Sequence, residues 1–441
     1  MTQTPATAEA PTEITHADAV VIGAGPAGSA TATFLAKAGH DVVLLEKARV
    51  PRDKVCGDAL TPRAVKALAS LGMTEEAEGT PPGWDRQEGL RMYGGKVVLE
   101  LPWPELDDYP SHSVTATRAI FDHALARNAE AAGARLMQRT EAVAPVYLSS
   151  SHGRVAGVRY RQTDPDGARR EGVVRAPVVL ACDGGSSRFA IALGLGRDES
   201  RPMGVAIRAY YDSPRSEMDM MEGFLEMRAP SDPETGERGE LLPGYGWVFP
   251  LDDGKVNVGW GLLSSSEHFR TTSYRKVLEE WVAGFPPEWQ ITPETMDGRP
   301  RSAGLPMAHN RKPLVHRGVV LVGDAGGMVN PFNGEGISYA IEAGEMAAVA
   351  AHEAIVRRSD RPLEAYPAAI EEAWGGYYTL GRAFVWAFGS PTVMRLARDY
   401  GMPRRRLMDF VFRTMAHLVN HRSKDATDVL LNTLSRAVPA A

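Results

Sequence analysis

The 441 residues, 44% hydrophobic and 24% charged, supply enough apolar material for a large core spread over two or three domains. A formal net charge of -6 argues against a general nucleic-acid binder, and two distant cysteines, Cys56 and Cys182, argue against a disulfide scaffold or a cysteine-based zinc site. That cysteine usage fits a reducing cytoplasm, and no apolar run is long enough to span a bilayer, which leaves peripheral membrane association open.

Met1 to His16, with its Pro, Thr, Ala and acids, reads as a disordered lead-in without a signal-peptide pattern. Ala19 to Ile22 form an apolar run, as in a strand buried on both faces. Gly23-Ala24-Gly25-Pro26-Ala27-Gly28 then give the G-x-G-x-x-G spacing. Gly23 permits a tight turn, Gly25 lets backbone approach a pyrophosphate, and Gly28 allows close helix–strand packing. A helix from Pro26 to about Lys37 aims its first amides at that pyrophosphate. A second strand, Asp41 to Leu45, ends at Glu46, placed to accept hydrogen bonds from a ribose diol. This unit indicates a dinucleotide without separating FAD from NAD.

Arg52-Asp53-Lys54-Val55-Cys56-Gly57 reads as a loop before Thr61 as N-cap and Pro62 at the first helical position. Arg52 or Lys54 can neutralise a cofactor phosphate; a plain solvated charge run has the same composition. Ala64, Val65, Leu68 and Leu71 recur at helical spacing. Leu90 to Leu101 predicts a hairpin around Gly94-Gly95, and Arg118 opens a helix that Gly133 ends. Arg135 to Val178 reads as antiparallel strands, and Val178 to Cys182 as a buried strand leading into Asp183-Gly184-Gly185. Strands are predicted over Val205 to Tyr211, Gly223 to Met227, Gly246 to Phe249 and Lys255 to Trp260, then a helix over Tyr274 to Phe285. Loops and short strands, including Arg301 to Leu305, follow Met296.

Gly318 to Asp324 is a buried strand ending in glycine and an acid, and Ile337, Ala340, Ile341 and Gly344 open a helix after Gly334 and Gly336. The remainder is mostly helical. Leu407, Phe410, Val411, Thr414, Met415 and Leu418 make a stripe flanked by Arg404, Arg405, Arg406 and Arg413. A monotopic membrane helix and a core-covering helix share that pattern.

No local metal-ligand set is evident, and no Gly-Lys-Ser/Thr follows the glycine turn, which rules out a P-loop phosphotransferase. The late Gly323-Asp324 junction suits FAD, whose two ends need support from distant segments. At these pieces the chain resembles the FAD-dependent geranylgeranyl reductase family, within the para-hydroxybenzoate-hydroxylase-like flavoproteins, over roughly residues 17 to 350. The matching segments are the fingerprint with Glu46; Arg52 to Gly57; Arg118-x-x-Phe121-Asp122; Cys182 to Ser186; Tyr245-x-Trp247-x-Phe249-Pro250; and Gly323 to Ile337. The charged Cys-Gly stretch is similar to that of members acting on menaquinone side chains.

The resemblance implies an α/β chain with a discontinuous Rossmann-like FAD-binding domain (17–85, 112–190 and 300–350). It adds a mostly antiparallel α+β substrate domain (86–111 and 191–299) and a C-terminal helical region (351–441). It places FAD against Gly23, Gly25, Pro26, Ala27, Gly28, Glu46, Arg52, Cys56, Gly57, Arg118 and Asp183, and against Gly323, Asp324, Pro331, Gly334, Glu335, Gly336 and Ile337. Tyr245, Trp247 and Phe249 would line an apolar tunnel, with Cys56 and Tyr245 as candidate catalytic groups, although strand residues filling a core read the same way. The implied reaction is reduction of prenyl C=C bonds by flavin hydride transfer and protonation, with electrons from NAD(P)H, a ferredoxin or a reductase partner. Rival chemistries on this fold are an oxygen-dependent aromatic hydroxylase, disfavoured by Gly326-Gly327, and a halogenase, for which no lysine motif is identifiable.

Overall fold

In the computed structural model, residues 13–149, 153–232, 234–237, 239–420 and 425–438 are described. The expected β-α-β unit forms as read: strand Ala19–Ile22, helix Pro26–Lys37 and strand Val42–Leu45, both strands fully buried. They sit at the centre of a six-stranded sheet ordered Val315–His316, Val319–Leu321, Val178–Ala181, Ala19–Ile22, Val42–Leu45, Arg135–Met137. All pairings are parallel except the Val315–His316 edge. Helices must therefore cover the faces, which explains the near-continuous apolar strands. The long helix Ile337–Arg357 does so by packing on Pro26–Lys37, where small residues let the backbones approach. A Cβ on Gly344 would stand 3.0 Å from the Ala27 carbonyl oxygen.

Residues Glu13–His16 correct the disordered lead-in: they form a strand parallel to Arg169–Arg175. The pairing satisfies backbone groups at the edge of a four-stranded sheet completed by Val155–Thr163 and Thr140–Tyr147. The earlier part of that lead-in lies outside the described residues.

The substrate-side sheet has seven strands, ordered Met296–Pro306, Met203–Asp212, Lys255–Leu263, Gly244–Pro250, Met220–Phe224, Gly89–Gly94, Val97–Pro102. All pair antiparallel except Met220–Phe224 with Gly89–Gly94. Two expectations shift here. The strand placed at Gly223 to Met227 lies three residues earlier, and the short strands after Met296 are one eleven-residue strand. Pairing along Met203–Asp212 holds that polar sequence extended, overriding weak local propensity.

Behind this, helices Ala365–Phe388, Pro391–Leu396 and Arg405–Met415 close the molecule. The inward face of Arg405–Met415 carries Met408 and Phe412, with Ala416 and Leu418 following, while Leu407 is 45% exposed. The stripe drawn through Leu407 and Phe410 is thus rotated; Phe412 stacks on Trp103 at 4.6 Å. Among the described residues no helix is long and apolar enough to cross a membrane.

Candidate functional site

The glycine turn is built by contact. A Cβ on Gly23, which has φ +96°, would meet the Cys182 carbonyl oxygen at 2.6 Å, and one on Gly28 would meet the Gly23 oxygen at 1.8 Å. Gly25 caps the Pro26–Lys37 helix without a side-chain bond, and no acid occupies its first turn. A Cβ there would lie 3.9 Å from Arg52 Nη2 and 4.0 Å from Arg118 Nη2. Uncapped amides with two guanidinium groups beside them form a cradle for a pyrophosphate dianion. That arrangement fits FAD.

Glu46 is buried under this turn, accepting from the Ala24 N–H at 2.9 Å and the Ala48 N–H at 3.0 Å. Unused lone pairs remain for a ribose hydroxyl. Asp122 holds the cations: Arg52 Nη1 reaches it at 2.6 Å and Arg118 Nε at 2.7 Å. Burial raises the Asp122 carboxyl, but Arg118 and Arg52 outweigh it and keep the pKa below the usual carboxylate range. Lys54 joins them, its Nζ 3.4 Å from where a Gly184 Cβ would stand. Desolvation first, then Arg118, pull the Lys54 pKa down. The Asp183 carboxylate accepts from Ser187 Oγ and the Phe189 N–H at the start of helix Arg188–Ala192, whose N-cap is Ser187.

The late junction meets the fingerprint directly. Gly323 turns at φ +65° with its absent Cβ 2.9 Å from Ala27 Cβ, and Asp324 Oδ1 lies 3.1 Å from where a Gly336 Cβ would be. Asn330 is held from behind by Tyr377 and the Met415 carbonyl, each at 3.1 Å from its amide nitrogen. Pro331 presses against Gly381, where a Cβ would come within 2.2 Å. Thr61 stands at the N-cap of helix Pro62–Ser70 as expected, with Pro62 next, but its hydroxyl makes no capping bond and donates to Glu335 at 2.8 Å. Burial pushes the Glu335 carboxyl up, against the Ser338 and Thr61 hydrogen bonds. Ile337 opens the following helix and is buried.

The aromatic motif approaches the same loop. Tyr245 donates its hydroxyl to the Asn333 carbonyl at 2.6 Å, and burial pushes its pKa up to about 12. Trp247 is buried across Gly259, whose Cβ would strike the indole at 2.3 Å, and its N–H donates to Asn257 at 2.9 Å. Gly57 rests on this motif, its absent Cβ 3.2 Å from Phe249 and 3.6 Å from Trp247 Nε1. Cys56 is half-buried there, facing Arg118 and Asp58, and burial pushes its thiol up. Phe249 leads into an apolar cluster with Leu90, Met92, Met221, Met408 and Phe412.

Sequence reasoning did not single out Asp58, Tyr210 or Asn257. Strand register sets Phe249 opposite Asn257 and Asn257 opposite Tyr210, and the Asn257 amide then reaches the Cys56 carbonyl and Asp58. No local spacing signals that. Among the described residues no cluster of three or more His, Cys, Asp or Glu could hold a metal ion.

Residues 16–369 match the FAD binding domain family. The chain is 34% identical to a menaquinone reductase of Mycolicibacterium smegmatis, covering 93% of this chain and 94% of that one. It is 31% identical to digeranylgeranylglycerophospholipid reductase 1 of Methanopyrus kandleri, covering 77% of this chain and 81% of the relative. The fold is similar to a geranylgeranyl bacteriochlorophyll reductase-like protein from Thermoplasma acidophilum, with a TM-score of 0.74 and 22% identity over 96% of this chain and 100% of that one. With the cofactor cradle and the aromatic strand both in place, the chain belongs to the FAD-binding oxidoreductases of the geranylgeranyl- and menaquinone-reductase-like family.

Proposed function

We propose that the protein is an FAD-dependent reductase that saturates one or more C=C bonds in a prenyl chain, with the menaquinone side chain as substrate. The observation that carries this reading is the ribbon Tyr245, Trp247, Phe249, which starts at the Asn333 carbonyl and runs into the Leu90–Met92–Met221 cluster. An unactivated alkene offers little charge to grip, so alignment along an apolar, water-poor surface has to do the work. FAD, when bound and reduced, supplies the hydride for one alkene carbon.

The chain's residues supply the rest. Glu46, Arg52, Lys54 and Arg118 bind and orient the cofactor's polar end. Tyr245 fixes the Asn330–Gly336 loop through its bond to Asn333. Cys56, whose burial keeps the thiol protonated at neutral pH, is the group that holds a proton for the second alkene carbon.

A structure of the FAD-loaded protein with a prenylated quinone tests the assignment. The tail is expected along Trp247 and Phe249, with one double bond beside Cys56. A separate open groove of about 830 Å³ lies between helix Ile337–Arg357 and the start of Ala365–Phe388, lined by Glu342, Val349, Glu353 and Tyr366. A tail bound there, with the aromatic ribbon bare, overturns the reading.

A further inference from the structure

Behind the Cys56–Gly57 turn lies a buried polar network that cofactor binding does not account for. Asn257 uses every hydrogen-bonding group of its amide. Its Nδ2 donates to the Cys56 carbonyl and to Asp58 Oδ2, each at 2.8 Å, and its Oδ1 accepts from Trp247 Nε1 at 2.9 Å. Asp58 also accepts from the Tyr210 hydroxyl at 2.6 Å and the Arg118 backbone N–H at 3.2 Å. Asn257 is 0% exposed and Asp58 1%. Satisfied networks of this kind fix one arrangement, because each broken bond strands a buried partner. Here that arrangement joins the Cys-Gly turn of the cofactor domain to the indole of the substrate strand.

We propose that Asn257 and Asp58 are positioning residues that lock the Cys56–Gly57 turn to Trp247, so that the thiol and the substrate face are held as one piece. The proposal deepens the reading of Cys56 as proton holder and rests on it. The charged and titratable groups facing Cys56 are Arg118, Asp58 and Tyr245; those facing Asp58 are Tyr210, Arg208 and Arg118. Burial and the Asp58 carboxylate favour the neutral thiol, while Arg118 and the Asp58 backbone N–H oppose them. Asn257 thereby holds the place of Cys56, and the Asp58 carboxylate acts on its proton as well.

The test is the pH dependence of iodoacetamide alkylation of Cys56 in the FAD-loaded protein, read by peptide mass so that buried Cys182 is scored separately. Asp58→Asn removes a like charge and is expected to move the Cys56 profile to lower pH by about one unit. Asn257→Leu is expected to raise the alkylation rate at fixed pH severalfold. With FAD loading retained, it should also lower kcat for prenyl reduction while leaving KM unchanged. Asn257→Ser serves if the leucine variant fails to load FAD. Profiles superimposable on the wild type's, with kcat unchanged, overturn the proposal. Alkylation needs no turnover, so wild-type protein that reduces no prenyl substrate would refute the proposed function while leaving the positioning result readable.

Discussion

Asp58 shows how a single residue couples backbone and charge. Its φ of +63° is left-handed, a conformation Asp tolerates better than most residues. Desolvation pushes its carboxyl up from 3.8 to about 6, with Tyr210, Arg208 and Asn257 opposing. A carboxyl raised on folding stabilises the protein below its unfolded value, and that stability is lost as pH rises through the folded value. Relative to Asp58→Asn, the wild type is therefore expected to lose about 2 kcal/mol between pH 4 and pH 6.5 in denaturant titrations. A parallel pair of stability curves would contradict this. The fingerprint glycines were legible in the sequence because their contacts are local. Asp58 and Asn257 were not, because 199 positions separate them and only the docking of the Cys56–Asp58 turn on strand Lys255–Leu263 brings them together.

At the scale of elements, strands whose partners cover both faces announced themselves by composition, as in Val178–Ala181. The polar edge strand Met296–Pro306 did not, since its extended form comes from pairing. The helix Arg405–Met415 was legible as amphipathic, yet its inward face was misplaced by about one position. Apolar residues ring enough of it that only the docking against Trp103 and Leu101 selects Met408 and Phe412. Phe412→Ala empties that contact and is expected to destabilise the protein by about 3 kcal/mol in guanidinium unfolding. A cost near zero would mean that this helix does not close the sheet in solution.

The whole molecule sets a polar cradle, made by Gly23 to Gly28, Glu46, Arg52 and Arg118, against an apolar ribbon from a different sheet. The Cys56–Gly57 turn and the Asn330–Gly336 loop form the seam between them. The fold class and the family were readable from motif order. The seam was not, because it depends on how two sheets meet. Its chemical meaning is tested most directly by incubating the chemically reduced flavoprotein anaerobically with menaquinone and measuring product mass. The account predicts a gain of two hydrogens for each side-chain bond saturated, with the quinone ring otherwise unchanged. Retention of every side-chain double bond under these conditions would contradict it.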